Sequence, residues 1–239
     1  MPELTASKNA SPARRLAVLI PAMCLPFIAS FFYFVVFPGT TFGNSFYTAI
    51  KIFLLVWPLV AVGWILREPL INRSRNVRNR PGFIWGGLFG LATVGALFGL
   101  IELTPLGAIV TENGGRIAQR VRDLGVAEHY LWFALFVSFL HAALEEFYWR
   151  WFVYGQWRKL VSGGWAHLLA AIGFTAHHVV ILSQFFPLGW AFALGACVGV
   201  GGAVWSLLYA RTGSLWGAWF SHMIIDLGLM YVGWVALQG

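Results

Sequence analysis

Apolar positions run along this chain in long unbroken blocks, not in the alternation of a half-buried strand or the single stripe of a water-exposed helix. Seven blocks approach the ~20 residues that a helix needs to cross the hydrocarbon layer of a bilayer. The pattern predicts spans over residues 16–37, 46–66, 83–103, 134–157, 164–186, 188–210 and 214–236. Between the third and fourth lies the polar stretch TENGGRIAQRVRDLGVAEHY, with Ile117, Val121 and Leu124 at helical spacing. That spacing predicts a short amphipathic surface helix. The expected fold is therefore all-α, a polytopic transmembrane helical bundle of about seven spans.

Composition supports the same picture. Of 239 residues, 59% are hydrophobic and 10% charged, against about 25% charged in a soluble domain. The net charge of +7 does not point to nucleic acid. Arg67, Arg73, Arg75, Arg78 and Arg80 share one loop between apolar blocks, where basic residues set topology, and no aromatic-interleaved basic surface remains. Lys8, Arg14 and Arg15 precede the first span, while Arg158, Lys159 and Arg211 mark later loops on the same expected side. The loops PGTTFGNS and FFPLG carry no charge. The N-terminus is thus expected in the cytoplasm and the C-terminus outside. The first block is too long for a typical signal-peptide core and reads as an uncleaved span. Trp157, Trp165 and Trp216 are expected at the inner interface and Trp234 near the outer one. Cys24 and Cys197 lie far apart in apolar blocks and read as inert packing residues with no disulfide framework.

The polar residues inside the spans change the picture most. The chain has only nine acids, and three of them, Glu145, Glu146 and Asp226, fall within predicted spans beside histidines. Charge at mid-bilayer costs several kcal/mol, so such groups usually have partners or a task. Helix residues four apart share a face, which places His141 with Glu145, Glu146 with Arg150, Phe174 with His178, and His222 with Asp226. Glu146 and Arg150 then form an ion pair that lets both remain in the membrane. If the fourth span runs on to Arg158, Glu145 lies ~20 Å deep, level with His178 at ~22 Å and with His222 and Asp226 at roughly 14 and 20 Å. Three spans would bring their polar groups to one depth. His167, His141 and His177 are expected as interhelical hydrogen bonders, and Lys51 and Glu102 as snorkelling residues near span ends. Phe147, Tyr148, Trp149, Trp151 and Phe152 are expected to face lipid or to pack.

Read as motifs, EEFYWR fits EExxxR, FTAHH contains FxxxH through Phe174 and His178, and HMIID fits HxxxN/D. In this order on successive apolar blocks they resemble the CAAX protease and bacteriocin-processing (CPBP, or Abi) family of intramembrane endopeptidases. The resemblance covers about residues 130–236. It divides the chain into a cytoplasmic tail (1–15), N-terminal spans with the amphipathic helix (16–128) and a catalytic helical core (129–239) within one integral membrane domain. It implies that Glu145 activates a water together with His178, that His222 and Asp226 orient or stabilise the oxyanion, and that Glu146 and Arg150 support the first motif. Adjacent helix residues point ~100° apart, so one of His177 and His178 is expected to serve, and the Phe174 spacing selects His178.

Two mechanisms stay open. One is glutamate-dependent and metal-free. The other uses a divalent metal such as Zn²⁺ on Glu145, His178, His222 and Asp226, a donor set suited to it. The implied partners are membrane lipid and a peptide or lipidated protein substrate, in what the resemblance suggests is a bacterial inner membrane. Two rival readings are a non-proteolytic scaffold or immunity protein of the same family and a proton-coupled transporter, the latter without the paired interrupted helices that mark such folds.

Overall fold

A computed structural model of the chain describes residues 10–71 and 76–238. Lys8, Arg73 and Arg75 lie outside the described residues. Every regular element among those described is helical. Seven helices are long and apolar enough to cross a membrane: Pro12–Val36, Thr41–Ile65, Asn79–Leu103, Ala127–Trp157, Gly163–Leu182, Leu188–Thr212 and Trp216–Gln238. They coincide with the seven expected blocks. The main displacement is the start of the fourth, which begins at Ala127 and so takes in the end of the amphipathic stretch.

Local chemistry explains several ends. Ser11 and Thr40 cap the first and second spans, accepting hydrogen bonds from Arg14 N and Gly43 N. The sixth span stops at Gly213, which takes a φ of 72° and donates its N–H to Tyr209 O. Between the third and fourth spans lie two short helices, Leu106–Glu112 and Gly114–Asp123. The second is the expected amphipathic helix. It buries Ile117, Ala118 and Val121 and packs against the seventh span, while Leu124 lies just past its end and stays exposed.

The third span is the most lipid-facing, with 11% of its apolar window buried against 39% for the fifth. What holds it is a seam of small residues against the seventh span. A Cβ on Gly86 would overlap the carbonyl of Gly217, so only glycine permits this backbone approach. The core sits elsewhere, around the second half of the fourth span. Tyr148, Trp149, Arg150 and Phe152 on that span, with Phe174 on the fifth, are the largest fully buried side chains. Tyr148, Trp149 and Phe152 therefore pack inward, and the Tyr148 hydroxyl donates to Ala22 O on the first span (2.9 Å).

The basic residues gather at one end of the bundle. Arg15 donates to Glu68 Oε1 (2.5 Å) and Gln156 Oε1 (2.6 Å), and Lys159 donates to Glu68 Oε2 (2.6 Å). Burial alone would raise the Glu68 carboxyl, but the Arg15 and Lys159 donors outweigh it and hold the group below the usual carboxylate range. Arg78 reaches Arg211 O (2.6 Å) at the same end. At the other end, Arg120 of the amphipathic helix donates to Phe34 O (3.2 Å) and Gln184 Oε1 (3.3 Å), tying the ends of the first and fifth spans together. Two expectations change. Lys51 lies well inside the second span, with its ammonium 4.9 Å from the Tyr47 ring one turn toward the Thr41 end. Cys24 and Cys197 are free thiols on exposed helix faces, not packed ones.

Candidate active site

The fourth span is not a uniform α-helix. Its turns are π-helical over Phe136–His141 and again over Phe147–Tyr154, on either side of the α-helical segment Ala142–Glu146. A π-turn widens the helix and re-aims the side chains around it, and such turns are frequent at functional sites. Here they flank the adjacent pair Glu145 and Glu146, whose carboxylates are aimed at different neighbours.

Glu145 is the hub. Its Oε1 lies 3.3 Å from His141 Nε2 on its own span and 3.3 Å from His177 Nε2 on the fifth. Its Oε2 lies 3.8 Å from His222 Nε2 on the seventh. Glu146 accepts from His222 Nδ1–H at 2.9 Å and lies 3.2 Å from Arg150 Nε. Asp226 Oδ2 is 3.6 Å from His222 Nε2. Three spans thus bring all four expected residues, Glu145, His178, His222 and Asp226, into one cluster with Glu146 and Arg150. Glu145, Glu146, Arg150, His177 and His222 are buried, whereas His141, His178 and Asp226 are partly exposed and form the rim.

Each histidine is held differently. The His178 Nδ1–H donates to Phe174 O (2.8 Å), because a carbonyl can only accept. That fixes the tautomer and leaves Nε2 with a free lone pair. His177 stacks on Trp149 with ring planes 5° apart, and its Nδ1 is buried with no hydrogen-bond partner in the protein. His222 is sandwiched from the side by Trp205 (4.3 Å, 18°), whose indole N–H donates to buried Ser221 Oγ (3.0 Å). Trp205 also lies under the Arg150 guanidinium at 5.0 Å, with Phe174 on it at 4.5 Å. Glu146 is within ion-pairing distance of Arg150, yet none of the three guanidinium nitrogens makes a hydrogen bond of good geometry. Aromatic faces therefore do much of the work of housing this cation.

The structure departs from the expected site in three respects. His141, expected to bond between helices, instead contacts Glu145 within its own span, whereas His177 does bond across helices, to Glu145 itself. His177 and His178 both reach the cluster, although their directions differ along the helix. Among the described residues, Glu145, His177 and His178 form the group able to hold a metal ion, each with a ligand atom within 4.8 Å of the others. The expected metal set had His222 and Asp226 in place of His177. Trp205 was missed altogether, since the sixth span carries no motif. His167, by contrast, meets Tyr154 across the fourth and fifth spans as an interhelical contact (3.4 Å).

No curated protein and no solved structure matches the chain. Residues 127–228 match the family model of the Rce1-like type II CAAX prenyl endopeptidases. The matched stretch begins with the fourth span and contains every residue of the cluster, leaving the first three spans outside it. From Ala127 to Gly228, then, this chain is similar to the domain of the Rce1-like type II CAAX prenyl endopeptidases.

Proposed function

We propose that the chain is an intramembrane endopeptidase that hydrolyses a peptide bond in a membrane-presented peptide or lipidated protein. The observation that carries this reading is Glu145, a buried carboxylate with imidazoles from three spans directed at it. Its Oε1 faces His141 and His177, so Oε2 is the oxygen free to take a proton. Glu145 would accept that proton from water as the water oxygen adds to the scissile carbonyl carbon. His178 Nε2, bare because Nδ1 is bonded to Phe174 O, offers a second acceptor at the rim. His222, oriented through Nδ1 by Glu146 and flanked by Asp226, would direct its other nitrogen as an N–H donor to the developing oxyanion in the imidazolium form. The proton then passes to the departing amine nitrogen as the C–N bond breaks. Arg150 offsets the charge of Glu146 and leaves Glu145 as the reactive carboxylate.

The donor set also fits a divalent metal. Two imidazoles and one carboxylate make a common catalytic zinc site, and Glu145, His177 and His178 each offer a ligand atom within 4.8 Å of the others, with Nε2 of His178 bare. When bound by Glu145, His177 and His178, the ion would supply Lewis-acid activation of water.

The N-terminus is assigned to the cytoplasm, supported by Arg15, Arg78, Arg158, Lys159 and Arg211 at one end of the bundle. The test compares peptide termini in membrane fractions from cells expressing the wild type or Glu145→Gln at matched levels. Termini present only with the wild type are expected. Identical termini, with the variant replacing the wild type in growth, would move the reading to a scaffold.

A further inference from the structure

At the basic end of the bundle lies a cavity of about 840 Å³, formed where the first, second, fourth and sixth spans end. It is lined by Arg15, Arg158, Lys159 and Arg211 and by one acid, Glu68. Glu68 is already taken by Arg15 and Lys159. Arg158 and Arg211 are exposed and have no carboxylate partner among the described residues, and the Arg158 guanidinium rests 5.9 Å from the Tyr154 ring. The lining thus combines two arginines of uncommitted charge with apolar side chains, including Val62, Trp151 and Leu160. No residue of the Glu145 cluster lines it.

We propose that this cavity binds the phosphate headgroup of an anionic membrane phospholipid. The chemistry is that of a phosphoryl anion on an amphiphile. Arg158 and Arg211 take the phosphate, which guanidinium groups suit best, and the Val62, Trp151 and Leu160 side chains take the glycerol and the first acyl carbons. The position favours lipid over a soluble anion. The cavity opens where the spans end, at the depth of headgroups, and basic pockets between spans on that side are where anionic headgroups bind. Its volume falls within the range that holds a molecule of this size. The site is separate from the peptidase reading and does not rest on it.

The test uses the full chain in nanodiscs of phosphatidylcholine, with and without phosphatidylglycerol. Lipid retained on release is counted by native mass spectrometry, and thermal stability is followed in parallel. Phosphatidylglycerol is expected to be retained selectively and to raise the melting temperature. The variant Arg158→Gln/Arg211→Gln should weaken that retention by about fivefold per arginine. Arg116→Gln/Arg122→Gln, an equal charge loss on the amphipathic helix, should not change it. Equal retention of both lipids, or unchanged retention by the double variant, overturns the proposal. Inorganic phosphate in pure phosphatidylcholine discs giving the same stabilisation would overturn lipid as the occupant.

Discussion

Two charge networks among the described residues are built on opposite plans. The one at the basic end, Arg15–Glu68–Lys159 with Gln156, closes on itself. Both Glu68 oxygens are used, and its shortest contacts are 2.5 to 2.6 Å. The one around Glu145 is loose. Apart from the His222–Glu146 bond, its charged contacts are 3.2 to 3.8 Å, and Glu146 Oε2, three Arg150 nitrogens and His177 Nδ1 lack hydrogen-bond partners in the protein. Leaving buried polar groups short of partners is costly, so a network built only for stability would close them. The open one has the form of a site whose groups are kept available to something else.

The sharpest way to break this comparison is to exchange a carboxylate for its amide in each network. Glu145→Gln should lower peptide cleavage by roughly 10²–10⁴-fold, the usual worth of a general base, while leaving the folded fraction unchanged. If cleavage persists at the wild-type rate, the open network is not a catalytic one. Next in size is Arg150→Met, which strands Glu146 as an uncompensated buried charge and should destabilise the protein by about 3–5 kcal/mol in a reversible unfolding assay. Adding Glu146→Gln should recover part of that loss. No recovery would mean that the two residues do not neutralise each other.

Trp205 sharpens the comparison further. Trp205→Leu removes the aromatic face from His222 and Arg150 together and should lower kcat about tenfold with KM unmoved, within the range of a desolvated cation–π contact. Trp205→Phe should restore most of it. A fall in stability alone, with kcat intact for both variants, would reduce Trp205 to packing. The smallest effect belongs to the closed network. Because Glu68 titrates lower in the folded protein than its ordinary value near 4.5, its contribution is present above that value and is lost as the pH falls through the lower folded-state value. Thermal unfolding of the wild type should drop by a few degrees over that acid window. Glu68→Gln should be less stable at neutral pH and lack this component, with cleavage retained.

How much of this was legible beforehand depended on range. The spans were, because twenty apolar residues in a row need no partner to declare themselves, and so were the i,i+4 pairs His141–Glu145, Glu146–Arg150 and His222–Asp226. The common depth of Glu145, His178, His222 and Asp226 followed from counting rises along three helices. What escaped was set by packing between helices. The π-turns around Ala142–Glu146 have no local signal in the residues that form them. They help account for a fourth span on which a helical wheel misjudges direction. His177 was set aside on an angular argument that ignored the reach of an imidazole. Trp205 lies on a glycine-rich span without a motif, and only the contact between the fifth, sixth and seventh spans gives it a role. Arg15 and Glu68 are 53 positions apart, too far for any spacing rule.

The seam between Gly86 and Gly217 bears on where this protein can be divided. The stretch that matches the endopeptidase model begins at Ala127, but its final helix is pressed backbone to backbone against a helix that lies before it. Resemblance and assembly therefore have different boundaries here. A fragment cut at the edge of the matched stretch would carry every residue of the cluster and still leave a bare glycine groove beside His222, with the Tyr148 hydroxyl deprived of Ala22 O. The first three spans add no residue to the Glu145 cluster. They are the staves against which the helices that carry it are held in register.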